Sequence, residues 1–109
     1  MDDLVHRLSE GEHSVEVCLR PEKTVDLFRR SLDRGYVHIK FIDTRGGTEL
    51  GVRLDRDLSD LESADFSGQT GRVKIVGNLT LNYTKVRCIA DIGLPSLEGK
   101  GRLESVDSK

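Results

Sequence analysis

Apolar residues fall on alternate positions from Arg72 to Val106 and, folded back twice, line up on one face, which predicts a three-strand meander. In its first strand Val73, Ile75, Gly77, Leu79 and Leu81 alternate with Arg72, Lys74, Val76, Asn78 and Thr80. A turn at Gly77-Asn78 uses the better two-residue hairpin dipeptide, yet it opposes Ile75 to Thr80 and Lys74 to Leu81 and mixes polarity on both faces. A turn centred on Tyr83-Thr84 separates the faces, opposing Leu81 to Val86, Leu79 to Cys88, Gly77 to Ala90, Ile75 to Ile92 and Val73 to Leu94. A second return around Pro95-Ser96 opposes Ile92 to Gly99, Ala90 to Gly101 and Cys88 to Leu103. On the other face it sets Asp91 against Lys100 and Arg87 against Glu104, charge pairs that favour the register. Gly77, Ala90, Gly99 and Gly101 leave a shallow dip on the inner face, where a helix or a ligand could lie.

Upstream, Asp3 to Ser9 has the pattern of a short helix closed by Gly11, and His13 to Arg20 alternates as a strand, with Val15, Val17 and Leu19 on one face. Pro21 then opens a helix and Gly35 closes it, and Val25, Phe28 and Leu32 recur between them at helical spacing. Tyr36 to Asp43 and Thr48 to Asp55 form a hairpin around Thr44-Arg45-Gly46-Gly47, with Phe41 opposed to Leu50, Ile39 to Val52 and Val37 to Leu54. A strand, a helix and a strand in succession suggest a crossover that sets the first two strands parallel. Arg56 to Gly71 lacks strand character; Asp57 or Ser59 is placed to start a helical turn with Glu62 completing a capping box, and Phe66 to anchor the segment. The expected architecture is one α+β domain over residues 1–109. It is a two-layer fold: a mixed, mainly antiparallel sheet of about six strands, a main helix Glu22 to Arg34 packed on one face, and a short N-terminal helix.

Charge adds little to this picture. Charged residues make up 33% of the 109, but the net charge is only −2, so no global field favours nucleic acid or a membrane. The start Met1-Asp2-Asp3-Leu4-Val5-His6 lacks the features of a signal peptide, and no apolar run is long enough to span a bilayer, so the expected location is cytoplasmic. Cys18 and Cys88 then read as free thiols. The sequons at Asn78 and Asn82 read as chance matches.

Candidate chemistry is sparse. Asp55-x-Asp57-x-Ser59 matches the start of a calcium loop, but Asp60 stands where the turn needs glycine and Phe66 where a bidentate carboxylate is required. His6, His13 and His38 have no zinc spacing relative to the cysteines. Cys88 falls on an apolar phase, whereas Cys18 would meet His38 if their strands are neighbours, with nothing local to complete a triad. Arg45-Gly46-Gly47 and Glu98-Gly99-Lys100-Gly101 lack the context of a phosphate loop. Arg29, Arg30 and Arg34 on the helix, with Lys40 and Arg53 on the strands, have few aromatic residues beside them, which argues against single-stranded nucleic acid. No catalytic residue, metal or cofactor is expected.

One irregularity remains. Ile42, Val76, Ile89 and Val106 interrupt the polar outer face, with Val76 and Ile89 at diagonal sites of the first hairpin. Clustered apolar residues on a sheet face suggest a protein partner, a second copy of the chain or an unplaced element of the chain itself. The expected role is a small non-enzymatic binding or assembly module, acting through Ile42, Val76 and Ile89 on the sheet face or through Asp57, Asp60 and Phe66 of the acidic loop. The competing reading is a small-molecule-binding or enzymatic domain with a cavity between helix and sheet, to which Cys18, His38 or the acidic loop supplies polar groups.

Overall fold

A computed structural model describes residues 3–19, 22, 24–44, 47–81, 84–94 and 96–105. Strands β1 (His13–Cys18), β2 (Tyr36–Phe41), β3 (Thr48–Leu54), β4 (Arg72–Leu81), β5 (Thr84–Gly93) and β6 (Glu98–Ser105) pair in chain order, every neighbour antiparallel. Because β6 also pairs with β1, setting His13 against Gly101 and Val15 against Gly99, the sheet is a closed barrel. This overturns the expected two-layer α+β fold. The sequence pattern is the same in both cases, since a barrel also needs one apolar face per strand. What differs is the cover: Val15, Val17, Ile39, Phe41, Val52, Ile75, Val86, Ile92 and Leu103 are buried against one another across the interior, and no helix layer is needed.

Helices α1 (Asp3–Ser9) and α2 (Val25–Arg34) flank β1 at its two ends, with α1 beside β6 and α2 beside β2. Leu8 from α1 and Val25, Phe28 and Leu32 from α2 join the core. The helix begins at Val25, later than Pro21 or Glu22, because the Thr24 hydroxyl caps it by accepting from the Leu27 N–H at 3.2 Å. Pro21 lies outside the described residues. Gly35 closes the helix as expected, in the left-handed region at φ 81°, its N–H reaching the carbonyls of Ser31 and Leu32. From Gly35 the chain passes directly into β2, which runs antiparallel to β1, so the expected parallel crossover is replaced by a helix that caps the barrel.

The register of the second return holds in full: Ile92 faces Gly99, Ala90 faces Gly101, Cys88 faces Leu103, and Asp91 faces Lys100. The dip that the small residues leave is closed by side chains of the two neighbouring strands, for a side chain on Gly101 would press on Ala90 of β5 at 3.2 Å and on Val15 of β1 at 3.3 Å. Both other hairpins slip by two residues from expectation. Leu79 faces Val86 and Gly77 faces Cys88, while Ile39 faces Leu50 and Val37 faces Val52. A shift of two keeps every side chain on its face, so polarity could not detect it. The turn residues Asn82, Tyr83, Arg45, Gly46 and Pro95 lie outside the described residues, as does Val106. Leu97, left-handed at φ 62° yet buried, extends the β6–β1 contact by accepting from the Val17 N–H at 3.0 Å.

The segment between β3 and β4 opens with a helical turn, the Asp55 carbonyl accepting from the Ser59 N–H at 3.0 Å, so the turn starts at Asp55 and not at Asp57 or Ser59, and Glu62 completes no capping box among the described residues. Aspartates at every fifth position organise it. Asp55 accepts from the N–H of Asp57 and Leu58, Asp60 from those of Glu62 and Ser63, and Asp65 from that of Gly68. Ser59 clasps β4, its hydroxyl accepting from the Val76 N–H at 2.9 Å and lying 3.0 Å from the Val76 carbonyl. Ser59→Ala should therefore cost about 1–2 kcal/mol in urea unfolding and speed exchange of the Val76 amide. Arg56 reaches back to the end of α2, donating to the carbonyls of Leu32 at 2.9 Å and Asp33 at 2.8 Å.

Candidate functional site

The barrel interior is filled by side chains, which leaves clefts on its outside as places to bind. The first follows from how β3 and β4 meet. Among the described residues they share two pairs, Arg53 with Asn78 and Leu54 with Gly77, whereas β4 and β5 pair from Arg72 to Leu81. Gly77 sets the contact, since any side chain there would overlap the Arg53 carbonyl oxygen and the Val52 side chain. Beyond Asn78 the strands part. Residues 48–52 of β3 and 79–81 of β4 keep their partners in β2 and β5 but do not pair with each other.

The resulting gap is a cleft of about 600 Å³ lined by Tyr36, Gly51, Arg53, Asn78, Leu79, Thr80, Lys85 and Val86. Strand alternation puts Leu79 and Val86 on the inner face, so they form an apolar floor, and Arg53, Asn78, Thr80 and Lys85 on the outer face, so they form a polar rim. Tyr36, 47% exposed, lies across β3 in space that the missing side chain of Gly51 leaves open. Arg53 and Lys85 are exposed, neither has an ion-pair partner among the described residues, and no carboxylate lines the cleft.

A second cleft, of about 370 Å³, lies between α2 and the barrel, lined by Cys18, Leu19, Leu27, Arg30, Ser31, Arg34, His38 and Glu49. Here Cys18 and His38 are direct cross-strand partners, as the alternation allowed. The thiol is nevertheless poorly suited to attack. Burial raises its pKa, and the carboxylates of Glu49 and Glu16 raise it further, Glu49 also accepting a hydrogen bond from it. His38 stacks edge-on against Tyr36 at 5.2 Å. Cys88, fully buried, is pushed up to about 12 by desolvation alone. In Ellman's assay of the native protein at pH 8, Cys88 should stay unreactive and Cys18 should react more slowly than a free thiol. Since unfolded thiols ionise near 9.0, the stability that Cys88 contributes is complete below that pH and is lost as pH rises towards 12.

The six residues expected to contact a partner are dispersed. Val76 is buried beneath the 55–71 segment, with 4% of its surface exposed, so it is not an outer-face contact, and it faces Ile89 directly where a diagonal relation was expected. Ile89 is half-buried, Ile42 is 44% exposed, and the two lie on either side of Lys100. Phe66 is tilted against Phe28 at 6.3 Å and anchors its loop as anticipated. Asp57 is exposed, while the Asp60 carboxylate is engaged by the Ser63 hydroxyl at 2.6 Å. That bond, with the N–H groups of Ser63 and Glu62, holds Asp60 below its ordinary 3.8, so the turn is complete above that pH and should loosen as acid protonates the carboxylate, which loop amide shifts would report. No cluster of three metal-ligating side chains occurs among the described residues. No helix among them is long and apolar enough to cross a membrane.

The β3–β4 cleft was missed in the sequence because both strands alternate normally where they part. Gly51 and Gly77 were its one visible trace. Neither a family model nor a curated protein matches this chain.

Proposed function

We propose that the protein is a small non-catalytic binding module, in which the closed barrel holds a peptide-contacting surface at the gap between β3 and β4. The gap itself supports this reading most strongly. Strand edges without ladder partners are templates for another chain, and here they border an apolar floor. The contact is moved from Ile42 and Ile89, which line separate clefts on either side of Lys100 of β6.

The test is a random peptide library panned against the immobilised chain, alongside sedimentation over a range of concentrations. Enriched peptides that shift amides of β3 and β4, or self-association lost when those edges are blocked, are expected. A monomer that enriches no peptide would overturn the reading. A small-molecule reading is favoured by the two arginines and His38 around the helix–barrel cleft; a ligand there would shift α2 and Cys18 and leave β4 unmoved.

A further inference from the structure

Resting on the binding-module reading, we infer that the β3–β4 gap takes an extended peptide in which acidic and apolar residues alternate. Three independent features of the cleft specify that partner. Among the described residues, 50–52 of β3 and 79–81 of β4 stand opposite each other without pairing, so an extended peptide can enter between them and pair with β3. A strand places successive side chains on opposite sides. One set then points inward onto Leu79 and Val86, and the other outward to the rim.

The rim decides the charge. The chain as a whole carries a net charge of −2, yet this cleft has Arg53 and Lys85 on its two walls and no acidic group among its lining residues. Two exposed cations without ion-pair partners among the described residues, on a net acidic molecule, favour carboxylates on the outward side of the peptide and disfavour lysines there. Asn78 and Thr80 add a side-chain amide and a hydroxyl that can bond those carboxylates. Tyr36, held over Gly51, offers a flat apolar surface at the end of the groove.

The probes are end-blocked hexapeptides of alternating valine and glutamate, of alternating valine and lysine, and the glutamate peptide N-methylated along one edge. Each is titrated into the ¹⁵N-labelled full chain. The glutamate peptide should shift the amides of Gly51, Arg53, Leu79 and Thr80 and bind roughly tenfold or more tightly than the lysine peptide. N-methylation of the edge that pairs with β3 should abolish binding. The double variant Arg53→Glu/Lys85→Glu, with both positions exposed and its fold checked by thermal melting, should invert the preference between the two charged peptides. Equal affinity for both peptides, or a preference unchanged by charge reversal, would overturn the proposal. So would adenosine monophosphate moving the same amides at lower concentration, since the cleft would then serve small anions. Peptide shifts confined to the helix–barrel cleft would remove this site while leaving a binding module. No peptide bound, with the chain monomeric, would remove both.

Discussion

Replacing Gly99 by alanine should lower the melting temperature by on the order of 15 °C or prevent folding altogether. The new methyl group would overlap the carbonyl oxygen of Asp91 and stand 3.2 Å from the Ile92 Cα, both belonging to the backbone of the adjacent strand. Backbone cannot rotate aside as the end of a side chain can. Strand β6 would have to leave β5, and because Gly99 also faces Val15, the closing pair of the barrel would open with it. A cost of about 3 kcal/mol or more is expected against a total stability of about 5–15 kcal/mol. The control is Gly11→Ala, where nothing lies within 4 Å of the added methyl; there the loss should come from the left-handed backbone alone and be about 1 kcal/mol. Thermal melting followed by circular dichroism compares the two.

Phe28→Ala should cost about 3–5 kcal/mol, the range for emptying a large aromatic site in a core. Phe28 is fully buried, and it is where α2, the barrel and the 55–71 loop meet, since Phe66 rests on it. Removing the ring should therefore loosen the loop as well as the helix. Phe66, only half-buried, should cost less when truncated, and the double variant should cost less than the two single changes added together. Urea unfolding gives the energies, and amide exchange in the loop gives the coupling.

Polarity along the chain carried the strands, the start of the meander at Arg72 and the helix C-terminus at Gly35, because each depends on residues adjacent in sequence or opposed across a tight return. It could not carry closure. The pairing of His13 with Gly101 joins residues far apart in the chain, and nothing in either strand distinguishes a covered sheet from a wall of a barrel. Registers failed at two hairpins by an even shift, to which the face pattern is blind, and succeeded where Asp91 and Lys100 made the polar face specific as well. Val76 read as an exposed apolar residue because its cover, Ser59 and the aspartate turns around it, has no periodicity to announce it. Cys18 and His38 do meet, but the burial and the two carboxylates that raise the thiol's pKa come from tertiary placement. The β3–β4 cleft arises from where two ordinary strands diverge, which no local pattern records.

Residue-resolved amide exchange of the native chain tests most directly whether the sheet closes at β1–β6 and stands open beyond Asn78. Slow exchange where β1 meets β6, with fast exchange at those amides of residues 50–52 and 79–81 that do not point to β2 or β5, is the predicted result. Uniform protection along both β3 and β4, or fast exchange where His13 and Val15 face β6, would contradict it.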